Sequence, residues 1–119
     1  MNKVRNYRDL EIWKLSMEIV EEIYLLTKSF PKEEMFGLMS QMRRCSISIP
    51  SNIAEGSSRK YDKEFKHFLY IALGSCSELE TQIEISYRLK LIEEQKNNVL
   101  LEKTNHITRM ISSLISVYN

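Results

Sequence analysis

Seven residues spaced alternately four and three apart set the main constraint on this chain: Phe65, Leu69, Ala72, Cys76, Leu79, Ile83 and Ser86. This is a heptad seam, and an α-helix brings such a spacing onto one side. The helix that carries it is about 33 Å long at 1.5 Å per residue. In a chain of 119 residues, a rod of that length must be covered by other helices. Three glycines and two prolines are too few to turn the strands of a sandwich or barrel. The expected fold is all-α: a single domain over 1–119, with helices at about 9–29, 36–56, 62–89 and 93–118. Connections of only a few residues make neighbours antiparallel, so the helices should form an up-down-up-down four-helix bundle.

Residues 1–8 are polar and expected to be loosely held. The first helix carries two apolar stripes. Leu10, Trp13, Met17, Val20 and Tyr24 form one; Ile12, Leu15, Ile19, Ile23 and Leu26 form the other. Their centres lie about 140° apart around the axis. One core needs one stripe, so the second predicts burial against another subunit. Ile12, Leu15, Ile19, Ile23 and Leu26 are taken as that oligomer interface. Asp9 is the expected N-cap.

The second helix is the least ordinary segment. Met35, Leu38, Met42, Cys45, Ile49 and Ile53 make its apolar face; Arg44, Ser48, Ser51, Asn52 and Glu55 share another. Pro50 removes the N–H that would reach the Ser46 carbonyl, which predicts a kink costing about 3 kcal/mol in a regular helix. The hydroxyls of Ser46, Ser48 and Ser51 and the amide of Asn52 are the groups expected to compensate. Gly56 is expected to stop the helix in a left-handed conformation. In the third helix, Gly74 and its small neighbours predict close approach of the second helix. The fourth helix has its seam at Leu100, Thr104, Ile107, Ile111, Leu114 and Tyr118.

No apolar run approaches the roughly 18 residues that span a bilayer. With no apolar leader at the N-terminus, the expected location is the cytoplasm, without a membrane partner. Cys45 and Cys76 read as buried free thiols. Met17, Met35, Met39, Met42 and Met110 read as core filler. Glu64 and His67 make a single Glu-x-x-His, where di-iron bundles use two with two further glutamates, and both residues fall off the seam. Glu102 and His106 fall off it as well. No phosphate loop, zinc spacing or nucleophile–base arrangement is found, so the expectation is a non-enzymatic protein with no cofactor and no metal.

One feature points to phosphate. Arg43, Arg44, Arg59, Lys60, Lys63 and Lys66 bracket the turn between the second and third helices, with Tyr61 as the one available stacking residue. The net charge of +1 is far from that of a dedicated nucleic-acid binder.

Gln41-Met-Arg-Arg44, the run Ser46-Ile-Ser-Ile-Pro-Ser-Asn-Ile-Ala-Glu-Gly56, Ile71-Ala-Leu-Gly-Ser75 and Tyr7-Arg-Asp-Leu-Glu-Ile-Trp13 carry a resemblance. Together they resemble the four-helix bundle proteins encoded in intervening sequences of bacterial 23S rRNA genes. The resemblance marks Ser48, Pro50, Ser51, Asn52, Glu55 and Gly56 as structural motif residues. It implies a ring-like homopentamer. The chain is similar, too, to the accessory protein of diversity-generating retroelements, which contacts nucleic acid and is strongly basic, as this chain is not. The leading expectation is an oligomeric bundle that binds RNA weakly through the basic turn. The alternative is a ring-shaped scaffold for a protein partner, without nucleic acid.

Overall fold

The computed structural model of the protein describes residues 6–118. It is all-helical over that span: α1 (Glu11–Thr27), α2 (Leu38–Ser57), α3 (Asp62–Arg88) and α4 (Glu94–Val117), with short 3-10 turns at Tyr7–Asp9 and Lys32–Glu34. Each helix packs on two others, α1 and α3 both lying against α2 and α4. The bundle measures 51 × 23 × 19 Å. Of the segment expected to be loose, residues 1–5 lie outside the described residues, and Tyr7–Asp9 is a defined turn.

The side-chain contacts give the helix directions. Gly56 meets Phe65, Ser48 meets Ser75, and Met42 meets Ser86, so α2 and α3 run in opposite senses. The start of α3 meets the end of α4 where the Phe65 and Tyr118 rings stack edge to face at 5.5 Å. Arg43 near the start of α2 reaches Thr27 at the end of α1.

The seam of α3 is completely enclosed at Phe65, Leu69, Ala72, Cys76, Leu79 and Ile83. Met42, Ile49 and Ile53 of α2 and Leu100, Ile107 and Ile111 of α4 close over it. Several buried residues are polar, and their hydroxyls turn back on their own helices. Ser16 donates to the Trp13 carbonyl, Thr27 to Ile23, Ser46 to Arg43, Ser86 to Gln82 and Thr104 to Leu100. A buried hydroxyl with such a partner avoids most of its desolvation penalty.

The ends of the elements depart from expectation in instructive ways. The N-cap of α1 is Leu10, with no side-chain hydrogen bond, because Asp9 is taken up by the preceding 3-10 turn. Lys90 has φ 63°, with its N–H on Tyr87 O and the Leu91 N–H on Ser86 O. That is a Schellman ending built on lysine where glycine is usual. The helix α2 is continuous through Pro50. The hydroxyl protons of Ser46 and Ser48 go to Arg43 O and Cys45 O, and the Asn52 amide donates to Ser48 O. None of these three bonds serves the carbonyl of Ser46 that Pro50 leaves free.

Gly56 takes the role expected of Gly74, and Gly74 takes neither role. Gly56 lies within α2, which continues to Ser57, and it has no positive φ. A Cβ there would sit 2.6 Å from Phe68 Cβ and 3.1 Å from the Phe65 ring. Gly56 is therefore a point of close approach between α2 and α3, not a helix stop. At Gly74 an added Cβ would meet nothing within 4 Å. A paired substitution separates the two roles. Gly56→Ala should destabilise by about 1–3 kcal/mol, because Phe68 Cβ is anchored to backbone and cannot swing away. Gly74→Ala should stabilise by up to about 1 kcal/mol. Urea denaturation checks both, and a stabilising Gly56→Ala would show that the close approach has been misplaced.

Candidate nucleic-acid interface

The six basic residues expected at one turn divide between two places. Arg43 lies at the far end of α2, about 24 Å from Arg59 at 1.5 Å per residue. It is held there: Nε donates to Thr27 Oγ1 at 2.8 Å, a terminal nitrogen to Tyr24 O at 3.3 Å, and the guanidinium lies 4.4 Å from the Tyr24 ring centroid. Its role is to cap the carbonyl end of α1, where a cation is favoured. Arg44 is exposed on the same distant stretch of α2. Neither belongs to the basic turn.

Arg59, Lys60, Lys63 and Lys66 do stay together. Residues 58–64 are exposed without interruption. Arg59 is bonded to Glu55 at 2.9 Å and lies over the Phe68 ring at 5.0 Å. Lys60 Nζ is 5.5 Å from the centroid of the Tyr61 ring. Tyr61 is 59% exposed, whereas Phe65 is fully buried. Asp62 and Glu64 occupy the first turn of α3, and they temper the field of the cations around them.

The antiparallel run of the helices adds a basic residue that sequence reasoning missed. Because the end of α1 meets the start of α2, the 3-10 turn Tyr7–Asp9, which also packs on α2, lies toward the C-terminal end of α2. Arg8 is exposed there, 5.3 Å from the Tyr7 ring and 5.6 Å from the Trp13 ring, which are themselves edge to face at 5.1 Å. The signal in the sequence was Tyr-Arg-Asp before a tryptophan, but the turn at the same end of the bundle lies some fifty residues later.

The expected oligomer stripe faces inward. Ile12, Ile19 and Ile23 are core residues of this chain, with Leu15 and Leu26 half-buried against them. Of the other stripe, Met17 is exposed, Val20 and Tyr24 are half-buried, and Leu10 and Trp13 are half-buried against the core. Met35, Phe36 and Ile47 extend this surface along a groove between α1 and α2, and Phe36 is 91% exposed. Of the methionines expected in the core, Met42 is fully buried, while Met17 and Met35 are exposed.

Of the motif residues, Ser48 lies at the α2–α3 contact, Asn52 bonds back to its own helix at Ser48 O, Glu55 pairs with Arg59, and Ser51 is exposed. Ser48 Oγ lies 2.6 Å from Ser75 Oγ, and Cys45 Sγ donates to Ser75 O at 3.1 Å. Burial pushes the Cys45 thiol up to about 12 and the Cys76 thiol up to about 11. Burial raises the carboxyl of Glu80 as well. The histidines 67 and 106 are exposed. Among the described residues, no group of three or more His, Cys, Asp or Glu side chains could hold a metal ion. No helix among them is long and apolar enough to cross a membrane.

The model of the 23S rRNA-intervening sequence protein family matches residues 8–113. The chain belongs to this family. A crystal structure of a protein of unknown function from the S23 ribosomal protein family of Bacteroides thetaiotaomicron superposes with a TM-score of 0.82 at 25% identity. The match covers 87% of this chain and 97% of that one. No curated protein matches. Family membership thus agrees with the all-helical fold and leaves chemistry to be argued from the surface.

Two measurements test these placements. Ile19→Ala should lower stability by about 2–5 kcal/mol, as a core truncation does. Phe36→Ala should cost the single chain no more than about 0.5 kcal/mol, any further loss depending on protein concentration and belonging to contacts between copies. A silent Ile19→Ala in denaturant titration would return that stripe to the surface. The thiols predict an alkaline limit. Their ordinary value is 9.0, and the fold holds both above it, so the neutral form is favoured in the folded state. Their contribution is fully present below pH 9.0 and is lost as pH rises through about 11 and 12. Replacing both by serine or alanine should flatten the pH dependence of stability in that window.

Proposed function

We propose that this protein is a non-enzymatic homo-oligomer that associates with RNA through the exposed turn between α2 and α3. The observation that carries the reading is the uninterrupted exposure of residues 58–64, where Lys60 and Lys63 flank an exposed tyrosine at the end of the bundle. Cations beside an accessible aromatic ring suit a nucleic-acid chain better than a folded protein surface. The name of the family, tied to intervening sequences of 23S rRNA, favours RNA over other polyanions.

The copies meet through the outward face of α1 and α2. Met35, Phe36 and Ile47 are too apolar and too exposed to serve the isolated chain, and covering them accounts for their presence. The resemblance described above implies five subunits in a ring. In a ring, one weak turn becomes several copies at fixed spacing, which raises avidity without any new contact. That reconciles a net charge of +1 with nucleic-acid binding. The same exposed groove supports a second reading, in which it receives a different protein and the oligomer serves as a scaffold.

Two experiments separate these readings. Light scattering should give a multiple of the chain mass for the wild type and a single-chain mass for Phe36→Ser. Anisotropy with labelled RNA should show binding at about 50 mM salt that is lost by about 200 mM. Replacing Arg59, Lys60 and Lys63 together by alanine should weaken binding and flatten its salt dependence while the oligomer persists. Wild-type protein that ignores RNA at low salt would leave the scaffold reading in its place.

A further inference from the structure

Cations alone do not distinguish one nucleic-acid form from another, and the turn holds more than cations. The carbonyl of Tyr61 is held by α3's first turn: the Glu64 and Phe65 N–H groups donate to it at 3.0 and 3.2 Å. Its ring is nonetheless mostly in solvent. The other aromatic residues at this end are engaged, Tyr7 with Trp13 and Phe65 with Tyr118. An anchored backbone that presents an accessible ring is a stacking platform, and Lys60 already lies 5.5 Å from that ring.

The phosphate contacts available here are short-range. Lys60 and Lys63 are separated by Asp62, and Glu64 follows, so the cations do not form a continuous track. Arg8 adds a charge at the same end of the bundle from a different element. A base can lie on the Tyr61 ring only where it is unpaired, because a duplex keeps the faces of its bases stacked on one another.

We infer that the turn binds single-stranded RNA, with one base stacked on Tyr61 and the neighbouring phosphates held by Lys60, Lys63 and Arg8. This rests on the RNA reading above and specifies its ligand. The stacking and the ionic contributions have different signatures. Stacking a base releases no counterion, whereas each phosphate contact adds about 0.7 to the slope of log affinity against log salt for a single strand. Tyr61 therefore controls affinity, and the lysines control affinity and slope together.

The test is anisotropy across a salt series, using a labelled uridine-rich 12-mer and an RNA hairpin with a fully paired stem. The proteins are wild type, Tyr61→Ala, Tyr61→Phe and Lys60→Ala/Lys63→Ala, each checked for helicity. The expected result is tighter binding to the 12-mer, a roughly 5- to 150-fold loss for Tyr61→Ala with the slope unchanged, and near wild-type binding for Tyr61→Phe. The double lysine variant should lower the slope. If Tyr61→Ala binds as wild type, or the hairpin binds more tightly, the single-strand inference is overturned while RNA binding through the lysines stands. If the wild type binds neither RNA, both readings fall.

Discussion

The contact between α2 and α3 is the constraint on which the rest depends. At Gly56 the two helices come so close that a single methyl group would collide with Phe68. Further along the pair, Ser48 meets Ser75 and Cys45 reaches the Ser75 carbonyl, so small side chains keep the axes close over several turns. Dispersion is short-ranged, and a helix pair held this tightly gains attraction along its whole length. The four-residue connection between α2 and α3, residues 58–61, follows from that closeness. Its residues have no room in the contact and are pushed into solvent. The exposed, cationic turn is thus a consequence of the close packing of α2 on α3.

The polar residues of the core follow the same economy of space. Serine and threonine are nearly as small as alanine and valine, and within a helix their hydroxyls can return to a carbonyl one turn back. Ser46, Ser86 and Thr104 do so while completely enclosed. Small side chains give close axes, and local hydrogen bonds remove most of the penalty of burying them. The two thiols fit the same pattern, since an enclosed neutral Cys behaves as a small apolar group. Arg43 is the exception. It is long and charged, and it is accommodated at the boundary between α1 and α2 because Tyr24 and Thr27 offer a carbonyl, a hydroxyl and a ring face together.

The surface carries two kinds of patch with different physics. The face of α1 and α2 around Phe36 is apolar, and its natural use is burial against another protein surface. The end near Tyr61 and Arg8 is charged and aromatic, and its natural use is a polyanion with accessible bases. The two lie at different places on an elongated bundle, so covering the first leaves the second open.

The sequence by itself determined the all-helical fold and the inward seam of α3, because periodicity is a local property and one face of a helix is set by spacing alone. It also determined the exposed Tyr61 and the pairing of Glu55 with Arg59, which lie within a single turn of one another. Only the tertiary structure decided which of two apolar stripes on α1 points inward. Both have helical spacing, and the choice depends on how α1 is rotated against α2 and α4, which no single-helix pattern contains. The same holds for Gly56 and Gly74: each is a glycine in a helical run, and what it faces is set by another helix. The two arginines Arg43 and Arg8 differ in how far the sequence could place them. Arg43's distance from the turn follows from the rise of α2 alone, whereas bringing Arg8 to the same end as the turn takes the antiparallel folding of α1 against α2.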